Sequence, residues 1–368
     1  MKPLKLLFLL ICTVFFFYSC DKDKDNNPEP DNPFDKEGLL INYADAIILP
    51  NYNSFKLSLD SLVLSFDVFK TSASLSDFQL VKQKLHVAYL KYQTISLTEF
   101  GPAESEIVRM NFNVFPTDTA QIIANIASGT YDLSAASNLD AKGFPALDYL
   151  FYGKNSSENS MSNLLSSSTT RKQYVTDILN EMTTKTNAVI TTWNTTYRSQ
   201  FISSLNTDIG SSIGYLVNQL NFELDYLKNA KVGIPLGKKT LNIPLPEKCE
   251  AYFGTQSLPY AVATLNIIED IYLGRSKAGI DGKGFDDYLN HLGASYGSGT
   301  LDAAIKNQFS IAKTKLAAIS NPISVEVISN PNTVDAAYVE LVKLLVLLKT
   351  DMPSNLGVII TYQDGDGD

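Results

Sequence analysis

Apolar side chains recur every three or four residues along most of the chain. Between residues 78 and 95 they form one stripe, made of Phe78, Val81, Leu85, Ala88, Tyr92 and Ile95. This spacing keeps the side chains on one face of an α-helix. The pattern therefore predicts an amphipathic helix with one buried face.

The segment 39–69 has the same spacing but contains Pro50. Proline lacks an N–H and clashes with the preceding helical turn, so we expect it to kink this helix or split it in two. The helices of this region should form an antiparallel pair. Gly101 and Pro102 then provide a stop signal for the helix that begins near Phe78.

The same periodicity predicts helices in much of the remaining chain, over 171–205, 207–227, 257–274, 285–292, 300–319 and 333–350. Two stretches lack it. Residues 155–170 are mostly Ser, Asn and Thr and indicate a loop, and 232–246 contain three prolines and two glycines, which favour a loop or a short hairpin. Val358, Ile360 and Tyr362 alternate with other residues and suggest a short terminal strand.

The predicted fold class is therefore all-α, with long loops and at most a short hairpin or terminal strand. We expect two helical-bundle domains, 36–205 and 206–368. A sequence echo suggests that they are related by duplication, because Lys142-Gly143-Phe144 with Asp148-Tyr149-Leu150 resembles Lys283-Gly284-Phe285 with Asp287-Tyr288-Leu289. The two Gly-Phe turns would then meet at a central interface, where ligand sites often lie.

The N-terminus predicts export and anchoring. Two lysines precede an apolar run that stops before Ser19, so residues 1–19 are typical of a signal peptide. Cys20 follows directly, as in a bacterial lipoprotein, and would carry the lipid; the alternative is a plain secretory signal with a chance cysteine. Residues 20–35 are polar and indicate a flexible tether. The expected location is the outer membrane, facing the periplasm or the cell surface.

Charge limits the range of partners. The chain has a net charge of −9, and removal of the signal peptide takes away two lysines and no acid. An acidic mature protein argues against nucleic acid or anionic lipid as a partner and leaves small cations and neutral ligands open. Envelope proteins are a further expected partner. Cys249 has no partner left for an intramolecular disulfide and suits a buried packing role.

Candidate chemistry centres on Asp148, a lone acid in the apolar stretch from Gly143 to Gly153. A buried carboxylate needs water, a cation or a hydrogen-bond donor. We expect either a structural partner, such as Arg109 or a tyrosine hydroxyl, or a ligand. The further candidates for the same site are Glu99, Glu104, Glu250 and Ser257.

Metal-binding signals are sparse in the sequence. His86 and His291 are far apart along the chain and suit structural roles. At the C-terminus Asp364, Asp366 and Asp368 alternate with glycines like the start of a calcium loop, but no distal glutamate follows, so we expect either weak cation binding or a solvated acidic tail. Iron and calcium are the candidate cofactors, and no motif indicates an organic one.

The stretch around Asp148 resembles the Gly-x-His-x-x-Glu signature of the imelysin-like family, with Gly143 and Phe144 in place, Asp148 at the acidic position and Pro145 in place of the histidine. Further resemblance to lipoproteins of the Bacteroidetes type spans nearly the whole mature chain. It rests on Tyr89, Gln93, Phe100-Gly101-Pro102, Pro235-Leu236-Gly237, Glu250-Ala251-Tyr252, Ser257-Leu258 and the ending from Tyr362.

This resemblance implies two helical domains, an envelope location and an association with iron uptake. It also implies metallopeptidase activity in some members, but zinc hydrolysis needs about three protein ligands and a general base, and Pro145 removes the motif imidazole. We therefore expect no catalytic residues and a lipid-anchored binding protein with a ligand cleft between domains. The alternatives are a residual metallopeptidase and a noncatalytic lipoprotein that binds other proteins.

Overall fold

The apolar stripes of the sequence become the buried faces of packed helices. A computed structural model describes residues 33–362. The helices of the first part are α1 Lys36–Ile41, α2 Leu49–Ser72, α3 Leu75–Tyr92, α4 Pro102–Ser105, α5 Val108–Phe112, α6 Thr119–Ser128, α7 Gly143–Tyr152, α8 Glu158–Ser167, α9 Thr169–Thr192 and α10 Arg198–Ser203. Those of the second part are α11 Ser212–Tyr226, α12 Ile234–Leu236, α13 Ser257–Tyr272, α14 Phe285–His291, α15 Leu301–Ala317, α16 Ile323–Ser329, α17 Pro331–Val346 and α18 Met352–Leu356.

The first part is built on the hairpin of α2 and α3, on which α7 and α9 pack. The turn between α2 and α3 uses Ala73 in a left-handed conformation and Ser74, whose side chain accepts the N–H of Asp77 and caps α3. Aromatic rings fill the space between the helices, with Phe55, Phe66, Phe69 and Phe78 all buried. The predicted buried stripe of α3 is confirmed.

The second part consists mainly of α11, α13, α15 and α17, and α13 also packs against α3. The all-α fold class is thus confirmed, and within residues 33–362 the only strands are β1 Ser295–Tyr296 and β2 Gly299–Thr300, which form a small hairpin. The described residues from Asp35 to Tyr362 belong to one compact unit. The division into 36–205 and 206–368 stays a prediction.

The prolines within the helical pattern neither split nor end the helices. Three π-helical segments, Asn42–Ile48, Leu227–Gly233 and Leu347–Asp351, continue directly into α2, α12 and α18, each of which has a proline at its second position. A wider π turn rearranges the carbonyls that would otherwise face the proline ring. The expected split at Pro50 is therefore wrong, whereas its alternative, a kink, stays a prediction. The predicted loop over 232–246 begins only after Leu236.

Two other local predictions are also wrong. Residues 158–167 form α8, because Ser157 caps its start and Met161 and Leu165 supply a buried face one turn apart. The terminal segment is not a strand. Its backbone is held by the side chain of Asn218, which donates to the carbonyl of Ile359 at 2.9 Å.

The two Gly-Phe turns do not meet. Phe144 packs on Phe55, whereas Phe285 packs on Tyr43, and these partners lie on the same continuous helix. Twelve residues of helix separate them by about 18 Å. The structure thus places the turns at different levels of the first helix and not at a shared central interface.

Several predictions fall outside residues 33–362: the signal peptide 1–19, lipidation at Cys20, nearly all of the tether, and the acidic tail with Asp364, Asp366 and Asp368. Among the helices that the structure does describe, none combines the length and apolar character needed to cross a membrane.

Candidate functional site

Helix α7 is fixed in place at its first residues. Gly143 has φ 69°, and a Cβ there would collide with the main chain of Phe112, so only glycine fits. Phe144 then stacks on Tyr89 with the ring centroids 4.5 Å apart. Pro145 occupies the first turn, where its missing N–H costs no hydrogen bond. These contacts set the direction in which Asp148 points.

We expect Gly143→Ala to lower the free energy of unfolding by about 2 kcal/mol or more, because alanine adds both backbone strain and a collision with buried main chain. Urea unfolding followed by circular dichroism measures this change. Gly297→Ala is the matched control, since Gly297 also has positive φ (57°) but nothing lies within 4 Å of its added Cβ. Equal losses for the two variants would show that packing on Phe112 contributes nothing.

The Asp148 carboxyl is 3 % exposed and binds main-chain donors. Its two oxygens accept the N–H groups of Phe253 and Gly254, each at 2.9 Å. Gly254 is required for this approach, because a Cβ would overlap Asp148 Oδ1. The structural partners of Asp148 are therefore backbone amides, and the expected pairing with Arg109 or a tyrosine hydroxyl is wrong.

Burial raises the pKa of Asp148 to about 7, the two N–H donors hold it down, and the nearby charge of Glu250 raises it further. The carboxyl therefore changes protonation state near neutral pH. A buried group poised in this way beside a pocket is typical of functional sites.

Glu250 lies at the centre of a buried polar network behind the pocket. Its Oε1 accepts from Gln93 Nε2 at 3.1 Å and from Asn113 Nδ2 at 2.7 Å, and its Oε2 lies 3.1 Å from Lys231 Nζ. Lys231 also donates to Gln93 Oε1 at 2.5 Å and to Thr264 Oγ1 at 2.8 Å. Both members of the ion pair are 1 % exposed, so the network is shielded from water.

Glu99 and Arg109 belong to a different cluster. Glu99 accepts the Arg109 N–H at 3.0 Å, and the Arg109 guanidinium lies 3.1 Å from Glu223 Oε2. Burial raises the pKa of Glu99 to about 7, and the charge of Arg109 opposes the rise. Glu104 is exposed on α4. No hydrogen bond or ion pair in the described part of the chain links these groups to Asp148.

A pocket of about 230 Å³ opens beside Asp148. Its walls come from the loop before α6, from α7 and from the segment before α13, and they comprise Phe115, Pro116, Thr117, Thr119, Pro145, Asp148, Tyr149, Lys154, Glu247, Cys249, Ala251, Tyr252 and Phe253. The pocket therefore combines aromatic and aliphatic surface with one buried carboxyl. Lys154 and Glu247 are exposed.

The remaining predicted residues have structural roles. Ser257 is buried, and its Oγ accepts the N–H of Ile323 at 3.0 Å, which ties α13 to the start of α16. Burial raises the pKa of the Cys249 thiol well above its usual range, so the thiol stays protonated at neutral pH. His86 is half-buried, with Nδ1 3.0 Å from the Tyr260 hydroxyl, and His291 ends α14.

The residues around Asp148 do not fit a resident metal ion. Both Asp148 oxygens already accept main-chain N–H groups, Pro145 offers no ligand atom, and Glu250 is paired with Lys231. In residues 33–362 no group of three or more His, Cys, Asp or Glu side chains could hold a metal. A zinc or iron site needs more donors than this pocket offers.

Sequence patterns alone missed Lys231, Asn113, Thr264 and the amides of Phe253 and Gly254. A lysine inside the apolar helix α11–α12 was the available signal for Lys231, because such a residue needs a buried anion. The Phe253-Gly254 pair directly follows Glu250-Ala251-Tyr252, a stretch that carries part of the family resemblance.

Comparison with known proteins identifies a family and several relatives. A protein-family model described as imelysin matches residues 48–349. The iron-regulated protein A of Synechococcus elongatus is 20 % identical over 297 residues, which cover 78 % of this chain and 77 % of that protein.

Two crystal structures share the fold. A protein from Parabacteroides distasonis, assigned as an iron-regulated protein A precursor, superposes with a TM-score of 0.72 at 14 % identity, over 87 % of this chain and 95 % of its own. An imelysin-like protein from Psychrobacter arcticum superposes with a TM-score of 0.68 at 16 % identity, over 89 % and 97 %.

Proposed function

Because the chain belongs to the imelysin family, we propose that it is a noncatalytic binding protein that holds a small ligand in the pocket beside Asp148. The observation that carries this proposal is a buried carboxyl with a pKa of about 7 at the wall of a largely apolar pocket. Ligand sites commonly combine an apolar wall with a few placed polar groups.

The walls of the pocket define the class of ligand. Tyr149 and Phe253 pack with their ring centroids 5.1 Å apart, and Tyr252 lies beside them, so a flat or aliphatic group can contact aromatic faces. Asp148 would accept a hydrogen bond when charged and donate one when protonated. The ligand thus places an apolar part against the aromatic wall and a polar group at Asp148.

We propose that iron is transported as part of the bound ligand and is not held directly by side chains of the protein. Relatives carry the name iron-regulated protein A, and the residues around Asp148 do not suit a bare ion. The ligand would therefore bring iron in already chelated form, with donor atoms of its own. Lipidation at Cys20 would hold the protein at the outer membrane, facing the periplasm or the cell surface, where envelope proteins are its further partners.

A residual metallopeptidase is the second candidate, because the matching family model also carries the designation peptidase M75. Pro145 in the position of the motif histidine and the amide-bound Asp148 favour binding over hydrolysis. The third candidate is a lipoprotein that only contacts other proteins.

Elemental analysis and calorimetric titration of the purified chain with ferrous, ferric and calcium ions, haem and ferric chelates of graded size test the proposal. We expect a ferric chelate or haem to bind and the bare ions to bind weakly or not at all. If no member of this panel binds, the proposal fails. Cleavage of a peptide library that a chelator blocks would replace it with the peptidase.

A further inference from the structure

A second and larger hollow lies on a different face, bordered by α2, α3, α13 and the loop that follows α13. Its volume is about 510 Å³, which is within the range of small-molecule sites. Aliphatic side chains of α13 and Leu90 line one part of it. It shares no lining residue with the pocket at Asp148.

The polar lining of this hollow is basic, although the protein is acidic. Lys91, Arg275 and Lys277 border it together with a single carboxylate, Asp270. That carboxylate is already engaged, since Arg275 Nε donates to Asp270 Oδ1 at 2.6 Å, and Arg275 also pairs with Glu269. Neither Lys91 nor Lys277 forms an ion pair within the described residues. Two ammonium groups are thus available to an anion.

Asn51 gives independent support. Its side chain is 5 % exposed and borders the hollow, yet its amide makes no hydrogen bond to any residue in the range 33–362. The amide atoms are not fully enclosed by protein, so they face the hollow, where a ligand can complete their hydrogen bonds. Asn266 adds a second amide to the lining.

The loop that carries Lys277 is held in place by the π segment before Pro50. The Lys277 N–H donates to the carbonyl of Ala46, the residue four positions before the proline. Asn42, within the same π segment, donates to the carbonyls of Gly274 and Lys283 at 2.6 and 2.9 Å. The loop of residues 274–283, which carries Arg275 and Lys277, is therefore attached to the π segment at both of its ends and near its middle.

We propose that this hollow, which we call the basic groove, binds a small organic anion. The carboxylate of the ligand would lie between the Lys91 and Lys277 ammonium groups and accept from the Asn51 amide, while its hydrocarbon part would pack on α13. Asp270 selects against dicarboxylic acids, because its carboxylate would repel the second carboxylate of such a ligand.

Calorimetry at low ionic strength with succinate, benzoate, hexanoate and inorganic phosphate tests this proposal. We expect benzoate or hexanoate to bind most tightly, and 0.5 M NaCl to weaken binding because the contacts are charged. Lys91→Ala and Lys277→Ala should each weaken binding about tenfold, as expected for a lost charge-assisted hydrogen bond. Lys84→Ala, on the same helix but outside the lining, should bind like the wild type.

Asn51→Leu separates binding from folding. It should leave the protein folded, because the Asn51 side chain makes no hydrogen bond to another described residue, and should weaken carboxylate binding. Three results would overturn the proposal: no carboxylate binds the wild type, the Lys91→Ala/Lys277→Ala double variant binds as tightly as the wild type, or phosphate binds as tightly as the best organic acid. Since the groove is separate from the Asp148 pocket, none of these results bears on that pocket.

Discussion

Replacing Lys231 with methionine should lower the free energy of unfolding by about 3 to 5 kcal/mol, because the change leaves Glu250 as an unpaired charge in the interior. No hydrogen bond of suitable geometry reaches the Glu250 Oε2 atom. Its ion-pair partner is the Lys231 ammonium, 3.1 Å away. Both side chains are 1 % exposed, so water does not replace the lost partner. Methionine keeps the length of the lysine stem and limits the effect of a cavity.

A double-mutant cycle with Lys231→Met and Glu250→Gln, followed by urea unfolding, measures the coupling of the pair. The double variant should recover most of the loss, since removing both charges also removes the burial penalty. Lys56→Met is the exposed control; its pair with Asp60 on α2 is open to solvent and contributes roughly 0.5 kcal/mol or less. Equal losses for Lys231→Met and Lys56→Met would show that the buried network is not structural.

The stability of the protein should fall as pH rises from 5 to 8, and Asp148 should account for a large part of the fall. The folded-state pKa of Asp148, about 7, lies above the ordinary value of 3.8 expected in the unfolded chain. The folded protein therefore binds the proton more tightly between these values, and stability is lost as the carboxyl ionises. Across pH 5 to 8 this loss is about 2 to 3 kcal/mol for one such group.

Asp148→Asn isolates this contribution because asparagine does not ionise. The variant should lose less stability than the wild type between pH 5 and 8. Its altered hydrogen bonds change the free energy of unfolding by the same amount at every pH, so they do not affect this comparison. Glu99 also has a raised pKa, of about 7, so Glu99→Gln should flatten part of the remaining dependence. Chemical unfolding at several pH values provides the measurement, and parallel curves for the wild type and Asp148→Asn would contradict the assignment.

The helices were predictable because the spacing of apolar residues that defines each helix lies within the helix itself. The stripe from Phe78 to Ile95 gave α3, and similar spacing gave α15 and α17. Local rules failed where tertiary contacts decide the outcome. Pro50 remains inside a helix because a π segment precedes it and the freed Ala46 carbonyl finds the Lys277 N–H. No pattern within a few residues of Pro50 contains that partner.

The candidate site was predictable only in part, for the same reason. A lone acid in an apolar helix indicated that Asp148 must meet a donor, and the structure supplies two. The donors are main-chain amides 105 and 106 residues away, so side-chain identity gave no signal for them. Glu250 was a candidate by resemblance, but its role as the partner of Lys231 depends on how the two parts of the chain pack.

Whether the pocket beside Asp148 holds the ligand is best measured by the dissociation constant of the tightest-binding ligand of the panel. It should be compared in the wild type, in Asp148→Asn and in Asp60→Asn, which removes an exposed carboxylate on α2 outside the pocket lining. We expect binding to be about tenfold weaker or more for Asp148→Asn, because a buried hydrogen bond changes, and unchanged for Asp60→Asn. The same constant in all three proteins would contradict this prediction.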